Sequence, residues 1–402
     1  MKRDVKSLYN ELNEELTHIL NFWSDKMADN SRGGFYGEMS PENIVEKDAN
    51  RGAILNGRIL WSFSAAYNYT HKKEELEMAK HAYDYFSKYF IDRKNGGVFW
   101  EIDCNGQPIN TRKQAYAHGF AIYGLSEYYR ASGNAESLAL ALEIYKIMET
   151  HFYDSKYGGY IEALSMDWQP LTDMRLSEKD KNTPKSMNTH LHILEPYTNL
   201  YRCKKSEELK NKIIDLLFIF KDKILDNDRM HFRLFFDNDW TPLSEEDSYG
   251  HDIEGAWLMC EAAEVIGDPK LIDTFNKIAI KIADVTLAEG SDKDGAIFNE
   301  KFVDHLDSDK HWWPQAEALI GFTNAWQISG NHKYMDQTEK VWDFIQNHII
   351  DKETGEWFWR VDKNGEIYAT EVKAGFWKCP YHNSRAMIEV MNRTNGSKSK
   401  FR

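Results

Sequence analysis

His251 and Glu254 stand one helical turn apart in "SYGHDIEGAW" (248–257), and His382 follows an aromatic pair, a lysine and a proline in "WKCPYHNSR" (377–385). An imidazole, with an ordinary pKa near ~6.5, is well suited to take or give a proton at neutral pH. Glu254 can orient His251 or bind a hydroxyl. Asn188 and His192, four apart in "SMNTHLHIL", share one helix face. His190 cannot share that face, and is read as packing. Arg58 in "NGRILW" is a charge inside an apolar segment, which is costly unless a carboxylate or an anionic intermediate faces it. Tyr116 and Glu317 complete the polar set. Trp312, Trp313, Phe376 and Trp377 are either core or a surface on which a sugar ring stacks. His251 and Glu254 offer two ligands to a metal, but no HExxH or other strong ligand spacing accompanies them.

These residues lie within the opening turns of six apolar segments, near "RGAILNGRILW", "KQAYAHGFAIY", "TPKSMNTHLHIL", "YGHDIEGAW", "WWPQAEALIGF" and "KCPYHNSRAMI". Pro184, Pro314 and Pro380 are expected in first helical turns, where proline is tolerated. Each segment alternates with an amphipathic one. In "EELEMAKHAYDYFSKYF", Leu76, Ala79, Tyr83, Phe86 and Phe90 form a single apolar stripe. By contrast, "AYAHGFAIYGLSEYY" is apolar nearly all round. Gly133, Gly267 and Gly330 stand where helices end. Between helix pairs a glycine-led phrase recurs about every 60–70 residues: "GGFYGEMS", "GGVFWEID", "GGYIEALS", and more weakly "MHFRLFFD", "GAIFNEKF" and "GEWFWRVD". Each phrase predicts a turn and a short strand or hairpin.

Six helix pairs form either an open solenoid or a closed ring. The apolar inner segments and the lack of polar end caps favour an all-α (α/α)6 barrel, six inner and six outer helices with short β-hairpins in the connecting loops. Residues 1–402 are read as one catalytic domain. The inner helices then run in one direction, their polar first turns meet at one end, and their N-termini favour a negative intermediate while lowering histidine pKa values.

With 64 acidic and 50 basic residues, the net charge of −14 argues against nucleic acid or an anionic membrane as partner. No apolar run reaches the ~18–20 residues of a membrane span. The opening "MKRDVKSLYNELNEELTHIL" lacks the apolar stretch of a signal peptide. Four well-separated cysteines suggest neither a disulfide framework nor a zinc site. A cytoplasmic location is the expectation.

"ILNGRILWSFSAAY", "SMNTHLHILEPYTNLY", "SYGHDIEGAWLM", "WWPQAEALIGF" and "WKCPYHNSR" resemble the cellobiose 2-epimerases of the N-acylglucosamine 2-epimerase superfamily, from about residue 10 to 393. The resemblance implies an (α/α)6 barrel and cofactor-free, metal-free epimerisation at C2 of the reducing-end glucose of β-1,4-linked disaccharides such as cellobiose and lactose. It makes His251 and His382 the acid/base pair, His192 the residue assisting ring opening, and Arg58 the enediolate stabiliser. Tyr116, Asn188, Glu254, Trp313, Glu317 and Trp377 match substrate-contacting positions. His118 stands where the family pattern has glutamine, Gly255 where it has alanine, and "HNSRAM" where it has "HNGRM"; these departures bear on substrate preference. The alternatives are an aldose–ketose isomerase or monosaccharide 2-epimerase of the same superfamily, a glycoside hydrolase using Glu254 and Glu317, and a non-enzymatic solenoid scaffold.

Overall fold

A computed structural model describes residues 5–394, so the first four and last eight residues of the expected 1–402 span lie outside the described residues. Six inner helices run α2 (Ala53–Thr70), α4 (Ala115–Ser132), α6 (Met187–Cys203), α8 (Tyr249–Ile266), α10 (Trp312–Ser329) and α12 (Tyr381–Thr394). Six outer helices alternate with them: α1 (Val5–Phe22), α3 (Lys73–Tyr89), α5 (Ala135–Ile147), α7 (Glu207–Ile219), α9 (Pro269–Glu289) and α11 (His332–Phe344). Each inner helix packs on its two inner neighbours, and α12 returns to α2, so the ring is closed. The outer helices α3, α5, α7, α9 and α11 lean on the inner helix before them, whereas α1 packs on α12.

Burial follows the patterning. In α4 every residue from Ala115 to Tyr128 is buried, because the helix is covered on both sides. In α3 the buried side includes Ala79, Tyr83 and Phe86, with Leu76 half-buried. Gly133, Gly267 and Gly330 end α4, α8 and α10 in the left-handed conformation, as their positions predict. Pro314 does fall in the first turn of α10, and Pro380 just precedes α12. Pro184 does not enter a first turn, because Lys185–Ser186 is a lead-in strand paired with Phe235–Phe236 and the helix begins at Met187.

The glycine-led phrases close the ring in a uniform way. Each crosses back on the end of its outer helix through one antiparallel bridge: Ala28–Phe35, Ile91–Val98, Tyr153–Tyr160, Leu225–Phe232, Ser291–Ile297 and Ile350–Trp357. Five of the phrases then pair with the strand that leads into the preceding inner helix, for example Glu101–Ile102 with Arg51–Gly52. The first phrase pairs across the gap, Met39 with Ala374 just ahead of α12. Four phrases also give a carbonyl to the first N–H of the helix: Trp100 to Ala53, Glu162 to Ala115, Leu234 to Met187 and Trp359 to Trp312.

A recurrent acidic turn locks these junctions. Asp29, Asp92, Asp154, Asp226, Asp292 and Asp351 each accept backbone N–H groups of the tight turn that follows. In five units a cation from the inner-helix lead-in reaches the aspartate: Arg51, Lys113, Lys185, Lys310 and Lys373, at 2.5–2.8 Å. In the fourth phrase Met230 takes the left-handed turn position at φ +60°, where other units have glycine.

One further position is shared. His118 Nδ1 donates to Gln114 O (2.7 Å) while its Nε2 accepts from Val98 N (3.0 Å). His190 does the same with Ser186 O and Tyr160 N, and Gln315 with His311 O and Ile297 N. These side chains anchor the phrase to the first turn of the helix beside it. His118 is therefore a buried structural anchor. Gly255 likewise accommodates Phe232, whose ring would lie 2.4 Å from an added Cβ.

Burial pushes the His118 imidazole down to about 3. The folded protein thus stays unprotonated there while the unfolded chain protonates near ~6.5, so this residue weakens the fold as pH falls below that value. Glutamine can make both bonds and does not titrate. Relative to wild type, His118→Gln is expected to gain about 2 kcal/mol of unfolding free energy on going from pH 8 to pH 5, read by urea denaturation at each pH. A difference independent of pH would refute the assignment.

Candidate active site

The N-terminal turns of the inner helices converge on a cavity of about 480 Å³. Arg58, Tyr116, Asn188, His192, His251, Glu254, Trp313, Trp377 and His382 all line it. Glu317, expected to touch substrate, does not line it and lies behind His382. Of the inner helices with an assigned N-cap, only α6 has a side-chain cap, whereas α5, α7, α9 and α11 all do.

The convergence has a register. Two residues beyond the structural anchor position stand Arg58, Phe120, His192, Glu254, Glu317 and Arg385, one from each inner helix. One residue before it in α8 and α12 stand His251 and His382. The repeat therefore supplies both histidines from equivalent places. Trp313 lies between them, its ring 4.7 Å from that of His251 and 5.8 Å from that of His382. Gly250 makes room for this ring, which would lie 2.6 Å from an added Cβ.

The histidines are neutral. Burial pushes His251 down to about 3, and neighbouring His192 adds to the shift. His382 is held well below its ordinary range by burial, then by Arg58, Arg385 and His192. Desolvation comes first for both histidines, followed by neighbouring charged and titratable side chains. His382 Nδ1 is 2.7 Å from Glu317 Oε1, and His192 Nδ1 is 3.1 Å from Glu195 Oε2. His251 Nδ1 meets Ser248 Oγ at 2.8 Å, so Glu254 does not orient it.

Arg58 is fully buried and has no carboxylate partner among the described residues. Its guanidinium lies 4.3 Å from the centre of the Phe120 ring and 4.9 Å from that of Tyr381. It donates to the Tyr116 hydroxyl (2.7 Å) and, at 3.5 Å, to the Trp377 carbonyl. α6 bends at His192 (φ −84°, ψ 15°), because Pro196 has no N–H to offer the His192 carbonyl. That carbonyl lies against Gly119 of α4, 2.2 Å from where a Cβ would stand.

Sequence reading missed Arg385, Glu195 and Tyr381. Arg385 Nη2 lies 2.6 Å from both Glu254 Oε1 and Glu317 Oε1, and Nη1 binds Glu195 Oε1 and the Tyr381 hydroxyl. The signal was present in "HILEPY" and "HNSRAM", charges inside apolar helices like Arg58. Burial works to raise Glu195, but Arg385 and His192 outweigh it and bring it to about 2. Burial and Glu317 push Glu254 well up, against the pull of Arg385.

This cluster bears on two alternatives. The metal-ligand geometry found among the described residues combines Glu254, Glu317 and His382, not His251 with Glu254. A guanidinium already stands where a cation would meet both carboxylates, while His251 Nδ1 is occupied by Ser248. A hydrolase pair formed by Glu254 and Glu317 is also disfavoured, since the two share one arginine and only one reaches the cavity.

The profile of the N-acylglucosamine 2-epimerase (GlcNAc 2-epimerase) family matches residues 34–386. The chain belongs to this family. A cellobiose 2-epimerase of Bacteroides fragilis is 46% identical over 387 residues, covering 96% of this chain and 98% of the relative. One from Dictyoglomus turgidum is 41% identical, covering 97% and 100%. The solved cellobiose 2-epimerase of Bacillus thermoamylovorans superposes with a TM-score of 0.93 at 38% identity, covering 96% of this chain and 100% of that one. Membership of the N-acylglucosamine 2-epimerase family accounts for the barrel.

Two variants separate support from contact. Arg385→Met strands buried carboxylates and is expected to cost about 3–5 kcal/mol of stability in urea denaturation. Glu317→Gln is expected to lower kcat about tenfold or more with KM within about threefold, because it orients His382 instead of touching the sugar. A KM effect alone would return Glu317 to the substrate-contacting set.

Proposed function

We propose that this protein is a cofactor-independent cellobiose 2-epimerase, interconverting glucose and mannose at the reducing end of β-1,4-linked disaccharides such as cellobiose and lactose. One observation carries the chemistry: a buried arginine with no carboxylate partner among the described residues faces a cavity flanked by two neutral histidines in equivalent repeats. Such a site accepts a proton on either side and stabilises the negative charge formed in between.

In the open-chain sugar the C1 carbonyl acidifies the C2 hydrogen. One histidine takes that proton on Nε2 and becomes imidazolium, while the electron pair moves into the enediolate and Arg58 meets the charge on oxygen. Rotation about C2–C3 presents the other face. The second histidine, protonated at Nε2 by exchange with water, delivers that proton to C2 and inverts the centre, and between turnovers the first imidazolium returns its proton to water. His192, steadied by Glu195, assists ring opening and closure. Tyr116, Asn188, Glu254, Trp313 and Trp377 hold the sugar. Asn188 Oδ1 is buried and unpartnered among the described residues, an acceptor suited to a hydroxyl.

The wider reading is of a single catalytic domain, requiring no metal and working in the cytoplasm. Its support is the occupied cluster around Arg385 and four free cysteines, two of them buried. Among the described residues no helix is long and apolar enough to cross a membrane.

The decisive experiment incubates the protein with cellobiose in deuterated water and resolves the products. Glucosyl-mannose labelled at C2 is expected, with activity surviving chelation and dialysis. A ketose labelled at C1 as the main early product, or released monosaccharide, would overturn the reading. His251→Asn and His382→Asn are each expected to cut epimerisation by ~10²–10⁴ or more. Near-normal turnover in both would exclude the paired histidines.

A further inference from the structure

Ser186 and Ser248 stand at the same place, the N-caps of α6 and α8. Ser186 does what serine usually does there, accepting from the backbone N–H of Thr189 three residues on, at 3.1 Å. Ser248 makes no such capping bond. Its hydroxyl instead meets the side chain three residues on, His251 Nδ1, at 2.8 Å. Ser248 is fully buried, and its backbone is pinned by strand pairing with Glu300. Most inner helices start without a side-chain cap, so what sets Ser248 apart is that its hydroxyl engages an imidazole facing the cavity.

Four histidines line the cavity, and among them His192, His251 and His382 differ in what stands behind Nδ1. His192 and His382 are backed by carboxylates, Glu195 and Glu317, that also bind Arg385. His251 is backed by a neutral hydroxyl. The other groups around it are His192, Glu317 and the Trp313 ring, so no carboxylate bonds to it directly.

We infer that Ser248 is a positioning residue for His251: it engages Nδ1 so that Nε2 is the atom presented to the substrate, and it lets the ring gain and lose a proton there without moving. A hydroxyl can accept from Nδ1–H or donate to a bare Nδ1 by rotation about its C–O bond, whereas a carboxylate can only accept. The carboxylate behind His382 fixes one hydrogen-bonding direction; the hydroxyl behind His251 leaves both available. The inference rests on the two-histidine reading above and extends it to a residue outside the cavity wall.

The test measures deuterium entry at C2 of cellobiose in deuterated water. Absence of C2 exchange in the wild type would defeat the two-histidine reading itself and leave Ser248 without a role. With wild-type exchange established, the His382→Asn background isolates His251 and the His251→Asn background isolates His382. Adding Ser248→Ala is expected to slow the residual exchange about tenfold to a hundredfold in the first background, part of the ~10²–10⁴ of a placed acid/base, and to leave the second unchanged. Equal slowing in both, or none in the first, overturns the inference. In the otherwise intact enzyme, Ser248→Thr is expected to stay within about threefold of wild-type kcat. Ser248→Asp sets a carboxylate against Nδ1 and is expected to move the acid limb of the kcat/KM profile upward by about one pH unit or more. An acid limb that stays in place also overturns it.

Discussion

One guanidinium ties most of the barrel's working end together. Arg385 projects from α12 and binds Glu195 of α6, Glu254 of α8 and Glu317 of α10. The remaining inner helices, α2 and α4, are joined by the Arg58–Tyr116 bond. A buried charge of this kind is stable only when its partners are all in place, and losing any of them is costly. The helix mouths are therefore held at fixed separations by charge, while apolar packing holds the rest of each helix. His382 leans on this cluster through Glu317, and His192 through Glu195. The distances available to a bound sugar depend on it.

Repetition and divergence divide the labour within each first turn. The anchor position is occupied by groups that bond backbone in several units, as His118, His190 and Gln315 do. Two residues later, the ring of Arg58, Phe120, His192, Glu254, Glu317 and Arg385 differs in every unit but for its two arginines and two glutamates. In α4, α6 and α10 the anchor keeps the helix in register with the adjoining phrase, so the inward position can change chemistry without moving the backbone. The same division explains why histidines with depressed pKa values occur in both sets. Desolvation lowers a wall-side imidazole such as His190 to about 4 and cavity-side His251 to about 3 alike. Only position relative to the cavity separates His190 from His251.

Much of this was legible in the sequence. The six-fold phrase, the alternation of all-round and one-sided apolar helices, and the grouping of titratable residues at helix starts together predicted a closed ring with its site at one end. Arg58 was singled out because a charge is expensive inside an apolar helix. The same argument applies to Arg385 and Glu195, yet their importance comes from meeting across four helices, which spacing along one chain does not express. Nor does spacing show that Glu317 lies behind a histidine. The acidic turns at Asp29, Asp92, Asp154, Asp226, Asp292 and Asp351 recur as plainly as the glycines, and five of them wait on a cation that arrives 18 to 31 residues later. That pairing is visible in the sequence once the turn geometry is known. The bend at His192 was signalled by Pro196, four residues on, but its use, bringing a carbonyl against Gly119, is a matter of contact between helices.

The seam of the ring lies between its two chain ends: α1 packs on α12, and Met39 bridges to Ala374. During synthesis the first five inner helices can stack one on another as they emerge, but the circle stays open until α12 is made. His382 and Arg385 both sit on that last of the described helices. A nascent chain ending at α11 carries His251 and Arg58, yet it lacks the second histidine and leaves Glu195, Glu254 and Glu317 without the cation that gathers them. Synthesis of α12 and closure of the circle therefore coincide, so a molecule made only as far as α11 has no closed pocket in which to bind sugar.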